Sequence, residues 1–431
     1  MWWNNLWSHT PVLYLTQPLW RDEAFSVLLA RHAPHEIVML TTQDFTPPLY
    51  YVLLSLWMYM FGSGEVAVRM LSFVTYIVLL RGCYLLAREI RHKLPACFPA
   101  IVTFFIAINP MIVYYAFEAR AYMLAICLGI WAVLWYVRKT WTLFITASVL
   151  MLYTHPYTIF LLLAMGMSTL MTKDKKQIVR LLKHAVVILA LYIPWMVAVY
   201  FQIARKEDMW FYPVDLKLVM AILSNMYTGF EGTPPHFWAA SNYISAAIAG
   251  VIILGFPWRL VRRPTLTLFF LWMLVPLVII VGISFYRPVF VARYVLYVTI
   301  AEIFLMVISI LHVRFRYVQY ALIASIGMST LWFNWWYAPY HAKADFRTTF
   351  EVVNALYDPG DIIISETALA FFESVYYAKE SEQVYLYHPS GTRLPSYVGA
   401  VLIPGDRFLR SIPTDKTVFL IHENGTYTMY L

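Results

Sequence analysis

From residue 65 to residue 336 the chain repeats one pattern. A nearly unbroken apolar stretch, close to the ~20 residues that cross a bilayer, is followed by a short polar break and then by another such stretch. Inside a bilayer such stretches must close their backbone hydrogen bonds on themselves, as helices. Charged residues make up 13% of the chain, about half the ~25% of ordinary soluble domains. That is too few to coat two or three soluble domains of this combined length, so a polytopic membrane protein is expected.

Basic clusters orient the stretches, because short cytoplasmic loops collect Lys and Arg. The clusters are Arg88/Arg91/Lys93, Arg138/Lys139, Lys173 to Lys183, Arg259/Arg262/Arg263 and Arg314/Arg316. Together they hold fifteen of the 32 basic residues, against two acids, Glu89 and Asp174. Placing all five inside gives one alternating path. A first span ends near Leu19, and spans follow at 65–87, 95–116, 121–137, 141–154, 157–172, 184–201, 241–258, 265–285, 294–311 and 317–336. The expected fold is mainly α, with about eleven transmembrane helices in a cell membrane, the N-terminus cytoplasmic and the C-terminus outside. Residues 49–61 form an apolar run too short to span, which reads as an outer-face helix. The first span is also short, interrupted by His9 and Pro11; a tilted helix and a start further upstream both fit it. No cleavable signal peptide is expected, since MWWNNLW lacks a basic n-region and a small-residue cleavage site.

After residue 336 the character changes. The tail holds eleven acids and seven bases, and its apolar runs shrink to strand length. Residues 361–366, 383–387 and 417–423 read as buried strands, with a helix at 367–379. Alternating strand and helix gives a small α/β lobe. The expected division is therefore 1–336, a membrane domain with a first outer loop at 20–48, and 337–431, a soluble domain outside the cytoplasm. Cys83, Cys97 and Cys127 all lie in or beside apolar helices, so neither disulfides nor thiolate metal sites are expected. The net charge of +8 sits in inner loops, which excludes nucleic acid as its purpose. No G-x-x-x-x-G-K-[ST] loop occurs, which argues against an ATP-driven pump.

Ionisable residues at membrane depth are costly and usually functional, and on this path the unusual ones gather at outer ends. Trp20 to Ser26 (WRDEAFS) follows the first span. Its adjacent acids, Asp22 and Glu23, point ~100° apart on a helix. One reading makes one of them a general base, its pKa raised by the low-dielectric wall, and the other a hydrogen-bond or metal partner. The other reading is that both merely suit a helix's first turn. Asp44 to Tyr51 (DFTPPLYY) uses a Pro pair to set a helix entry, with Asp44 a ligand or only a cap. Glu118-Ala119-Arg120-Ala121-Tyr122 offers Arg120, whose planar fork suits phosphate, although a local Glu118–Arg120 pair is the plainer account. His155 lies in Tyr153-Thr154-His155-Pro156, where a lone His is more often structural. Tyr286 to Tyr294 (YRPVFVARY) carries Arg287 and Arg293 outside, against the positive-inside bias, and calls for an anionic partner: a bound phosphate, a tail acid or phospholipid. The loop at 202–240, with Arg205, Lys206, Glu207, Asp208, Glu231 and His236, is suited to a lid.

The ordered set WRDEAFS, DFTPPLYY, FGSGEVAVRMLS, EARAY, YTHP and RPVFVARY resembles the landmarks of the multi-span GT-C glycosyltransferases, in particular bacterial relatives of protein O-mannosyltransferases and lipid A aminoarabinose transferases. The resemblance covers most of residues 18–300. It implies a polyprenyl-phosphate-linked sugar donor, a lipid, glycan or protein acceptor hydroxyl outside the cytoplasm, and inversion at the anomeric carbon. It implies an acid of the first outer loop at the reaction centre, which Asp22 matches, with Glu23 beside it. Asp44, Glu118, Arg120, Tyr122, His155, Arg287, Arg293 and Tyr294 are the corresponding substrate-binding candidates. Some relatives use a divalent metal ion and others none; Asp22 and Glu23 are the candidate ligands. Many relatives carry His or Lys before the Pro pair where this chain has Thr46, so a cationic contact to the donor phosphate would fall to Arg69, Arg120 or Arg293. The rival readings are a transporter or lipid-carrier flippase, for which no internal repeat is found, and a non-catalytic assembly subunit.

Overall fold

The computed structural model describes residues 7–91, 94–204, 227–228, 235–260 and 264–431. Lys93, Arg205 to Asp208, Glu231, Arg262 and Arg263, which the sequence reading singled out, lie outside the described residues.

The expected first span is described only from residue 7 onward. Its described part is a short helix, α1 (Val12–Thr16), whose N-terminal flank is Pro11. Five residues rise ~8 Å, far less than a bilayer's depth. The outer loop then forms α2 (Arg21–Ala30) and α3 (Pro34–Gln43), and the 49–61 run forms α4 (Leu49–Phe61). Gly62, at φ +85, turns the chain out of α4, a conformation that only glycine adopts readily. Next come α5 (Glu65–Ile90), α6 (Phe98–Ile108), α7 (Pro110–Ala116), α8 (Tyr122–Val137), α9 (Trp141–Leu152), α10 (Ile159–Met171), α11 (Lys175–Ala204), α12 (Pro235–Gly255), α13 (Pro264–Ser284), α14 (Tyr297–His312) and α15 (Arg316–Tyr337).

The expected span at 95–116 is broken. Asn109 takes an extended conformation before Pro110, as residues before proline tend to, and α6 and α7 diverge by 67°. The Asn109 side chain accepts from the Ile112 amide and donates to the Tyr227 carbonyl, so the break is satisfied. Four described helices, α5, α11, α12 and α13, are long and apolar enough to cross a membrane, and the bent pair α6–α7 makes a fifth. The expected eleven is not reached by that measure: α8, α9 and α14 are apolar but shorter. Helix α14 is buried on every side from Tyr297 to Ile310, the mark of a central helix. It carries Glu302, also buried, an ionisable residue away from the outer ends that the sequence reading did not flag.

The tail adds α16 (Phe346–Leu356), α17 (Ala368–Tyr377) and strands β1 (Ile362–Ser365), β2 (Val384–Tyr387), β3 (Phe408–Leu409), β4 (Val418–Ile421) and β5 (Tyr427–Tyr430). The sheet order is β3-β2-β1-β4-β5. Pairing is parallel throughout except for β4 with β5. All four residues of β1 are buried, because both faces are covered. Ile363 joins the core under α16 and α17, while Ile362 and Ile364 pack on the other side with Val418 and Leu420. The three expected strands and the 367–379 helix are present; α16, β3 and β5 are additions.

The lobe does not stand apart from the membrane part. Phe346, Phe371, Phe372 and Ile363 share one apolar core with Phe25, Tyr50, Tyr51 and Val68 of α2, α4 and α5. Arg347 pairs with Glu65, and the Tyr377 hydroxyl donates to the same carboxylate. These contacts hold the lobe over the first outer loop, where it walls a cavity.

Candidate active site

Helix α2 starts abruptly after the extended Trp20, and no side chain caps it. Asp22 and Glu23 both lie in its first turn, as the plainer reading has it, but they face different ways. Glu23 is fully buried. Its Oε1 accepts from Arg69 Nε (2.9 Å) and the Ala119 amide (2.9 Å), and its Oε2 from Arg69 Nη2 (2.6 Å) and Lys343 Nζ (2.8 Å). Burial alone would raise its pKa, but Arg69 and Lys343 outweigh it and hold the carboxyl down at about 2. Arg69 is fully buried too and also donates to the carbonyls of Leu15, Gln17 and Pro18. One ion-pair centre thus fastens α1, α2, α5, the 117–121 turn and the lobe.

Asp22 points instead into a cavity of ≈ 310 Å³. Arg120 Nη2 lies 3.6 Å from its Oδ2 and Arg21 Nε 3.8 Å from its Oδ1, and a quarter of the side chain (26%) remains exposed. The expected upward pKa shift is reversed. Burial does push upward, but Arg120, Arg293, Arg21 and Lys343 outweigh it, so the pKa falls below the usual aspartate value. Asp44 faces the same cavity from the turn after α3. Its Oδ2 accepts from Thr46 Oγ1 (2.6 Å), which accepts from Tyr51 (3.2 Å). Here burial prevails over those hydrogen bonds and the pKa is raised.

The far wall gathers three distant motifs. The Leu49 amide donates to the Tyr153 carbonyl, Tyr157 to the Val289 carbonyl and Tyr297 to the Tyr157 carbonyl. These bonds draw YTHP and RPVFVARY to the head of α4. Arg120 Nη2 and Arg293 Nε both donate to the Tyr122 hydroxyl, at 3.4 and 3.0 Å. Two guanidinium groups therefore flank one phenol at the cavity edge. Tyr294 lines the cavity, with His155 4.9 Å behind it, centroid to centroid. Burial, then Arg120 and Arg293, push His155 down to about 3, so it stays neutral and packs as an aromatic. Glu118 accepts from Trp20 Nε1 (2.9 Å) and is buried; burial raises its pKa to about 7, with Glu23 adding to the rise.

Of the sequence-chosen residues, Asp22, Asp44, Arg120, Arg293 and Tyr294 line the cavity. Glu23, Glu118, Tyr122 and His155 stand behind it. Arg287 is half-buried and does not line it. Arg69, an alternative phosphate contact, is taken up by Glu23 and three carbonyls. The lobe supplies Leu369, Phe372, Tyr397, Val398 and Gly399 as a roof, and Lys343 completes the ion-pair centre. These residues were missed because they lie 320 or more positions from their partners, in a tail without motifs. Glu373 was missed likewise: it is buried on α17, and burial raises its pKa to about 8.

The donor set does not suit a cation. Both Glu23 oxygens are occupied by cations and an amide, and Asp22 is flanked by arginines. Among the described residues no group of three or more His, Cys, Asp or Glu converges.

No protein-family model matches the chain, and no curated protein matches it in sequence. Solved structures do match. ArnT from Cupriavidus metallidurans in the apo state is similar at TM-score 0.64 and 11% identity, over 95% of this chain and 91% of that one. The same protein bound to undecaprenyl phosphate gives 0.62 and 12%, over 97% and 91%. The Archaeoglobus fulgidus oligosaccharyltransferase tethered with an acceptor peptide gives 0.50 and 12%, over 85% of this chain and 60% of that one. At 11 and 12% identity this likeness shows a shared fold, and the fold expected from the sequence motifs is the one this chain has in common with ArnT.

Proposed function

We propose that the chain is a membrane glycosyltransferase that moves a sugar from a polyprenyl-phosphate donor to an acceptor hydroxyl on the non-cytoplasmic face, in cell-envelope glycan, lipid or protein glycosylation. The observation that carries this is one cavity lined by the Asp22 carboxylate together with Arg120 and Arg293, Arg120 lying 3.6 Å from Asp22. The GT-C fold supports the reading, and so does the capture of ArnT with undecaprenyl phosphate. The eleven-span path, with the N-terminus inside and the lobe outside, belongs to the same proposal.

The reaction is a single displacement with inversion. The acceptor oxygen attacks the anomeric carbon as the bond from that carbon to the phosphate oxygen breaks. Asp22 takes the hydroxyl proton, and the phosphate stays on the carrier. Asp22 suits the base role because its carboxylate is open to the cavity and is not taken up by a close hydrogen bond, whereas Asp44 is buried and holds the Thr46 hydroxyl. Arg120 and Arg293 bind the phosphate and stabilise the charge it gains on leaving, the larger contribution in such reactions. Glu23 acts through Arg69 and Lys343, as a positioning residue. Among the described residues the acids do not form a cation cage, and in this reading the arginines supply the cationic contribution.

The test is transfer of labelled sugar from a polyprenyl-phosphate donor by the purified chain in lipid nanodiscs. Asp22→Asn should insert normally and lose on the order of 10²- to 10⁴-fold in rate, the usual worth of a general base. Wild-type turnover in that variant would refute the assignment.

A further inference from the structure

A second cavity, of ≈ 670 Å³, lies between Gln43 at the end of α3 and the 388–410 stretch of the lobe. Its size is within the ~300–1,000 Å³ of small-molecule sites. Arg393, Arg410 and His388 line it, and no described carboxylate does. That runs against the local balance, since the tail's seven bases and eleven acids leave it at 7 − 11 = −4.

The lining is locally ordered. Gly391 has φ +61, and a Cβ there would lie 3.3 Å from Arg410 Nη2, so the glycine lets the guanidinium lie across the backbone. His388 Nε2 sits 2.6 Å from the Thr392 carbonyl. A carbonyl only accepts, so Nε2 carries the proton and closes the turn that presents Arg393.

The two cavities share two walls. Gln43 lines the second and Asp44 the first; Tyr397 to Gly399 line the first, and Ala400 and Val401 the second. A molecule seated in the second cavity is therefore separated from the first by the chain segments that line both.

We propose that the second cavity binds an anionic saccharide, a sugar ring bearing a phosphate or carboxylate, as the recognised part of the acceptor. Arginine's planar fork matches both anions, and a ring fills the space that a bare anion leaves. The inference rests on the transferase reading only in taking this occupant for the acceptor.

The probes are glucose 6-phosphate, glucuronate, inorganic phosphate and glucose, titrated calorimetrically into the full chain in nanodiscs. Saturable binding of glucose 6-phosphate or glucuronate is expected, and which of the two binds identifies the anion. Arg393→Ala/Arg410→Ala should weaken that binding at least tenfold. Both residues are exposed, so the melting temperature and undecaprenyl-phosphate affinity should hold. Arg293→Ala, in the first cavity, should leave the probe's affinity unchanged. Equal binding of glucose, equal binding of inorganic phosphate, or an unchanged affinity in the double variant would each overturn the proposal, as would loss of the probe in Arg293→Ala. A wild-type chain that binds the probe but transfers no sugar would strike the transferase reading and leave this site standing.

Discussion

Replacing Glu23 with Gln should destabilise the protein by about 3 kcal/mol at neutral pH. Its carboxyl falls from an ordinary 4.5 to about 2 on folding, which at ~1.4 kcal/mol per pH unit gives that figure. The side chain is fully buried, so solvent screening does not reduce it. Breaking a buried ion pair from one side costs a similar ~3–5 kcal/mol, because Arg69 and Lys343 would be left without their shared anion. The sign follows from the depressed pKa: the stabilisation is present above the unfolded value and is lost as pH falls toward 2. Thermal unfolding in detergent should show the variant melting roughly 5 °C lower at pH 7, with the gap shrinking below about pH 4.5. Lys343→Met should cost less than Arg69→Met, since Arg69 also satisfies three backbone carbonyls. A Glu23→Gln variant that melts with the wild type at pH 7 would refute the reasoning that this centre fastens the lobe to the outer loop.

Two further outcomes follow. Glu118, raised on folding to about 7, makes the folded state lose stability as pH rises through 7; Glu118→Gln should match the wild type at pH 5 and melt higher at pH 8, as unfolding curves across that range would show. Gly399, at φ +78, would place a Cβ 2.7 Å from Phe25 Cδ2 and 2.8 Å from Phe372 Cζ; Gly399→Ala should cost at least ~1 kcal/mol in backbone strain alone and slow sugar transfer by crowding the roof, measured by melting and by the transfer assay.

What the sequence made legible had local causes. Helix α4 could be read from its Pro pair and length, and the starts of α5, α8 and α9 fell within a residue or so of the observed ones. Strands β1, β2 and β4 were readable because burial on both faces makes them continuous apolar runs. Helix α16 was missed because the strand-length apolar runs directed attention to the sheet, and β5 because most of its residues are exposed. In the site, Asp22, Arg120 and Arg293 stood out as charges where charges are costly. The division of labour between Asp22 and Glu23 did not, because it depends on Arg69 and Lys343 arriving from 46 and 320 residues away. The pKa of Asp22 was expected to rise because the low-dielectric wall was visible in the sequence and the converging arginines were not.

The central claim is that lipid-borne phosphate enters the cavity beside Asp22. A cryo-electron microscopy structure of the chain in nanodiscs with undecaprenyl phosphate tests it most directly. The account predicts phosphate density within hydrogen-bond reach of Arg120 and Arg293, with the isoprenoid tail running down between helices. Phosphate held at the opposite face, beside Arg88 or Arg138, with the Asp22 cavity empty, would contradict it.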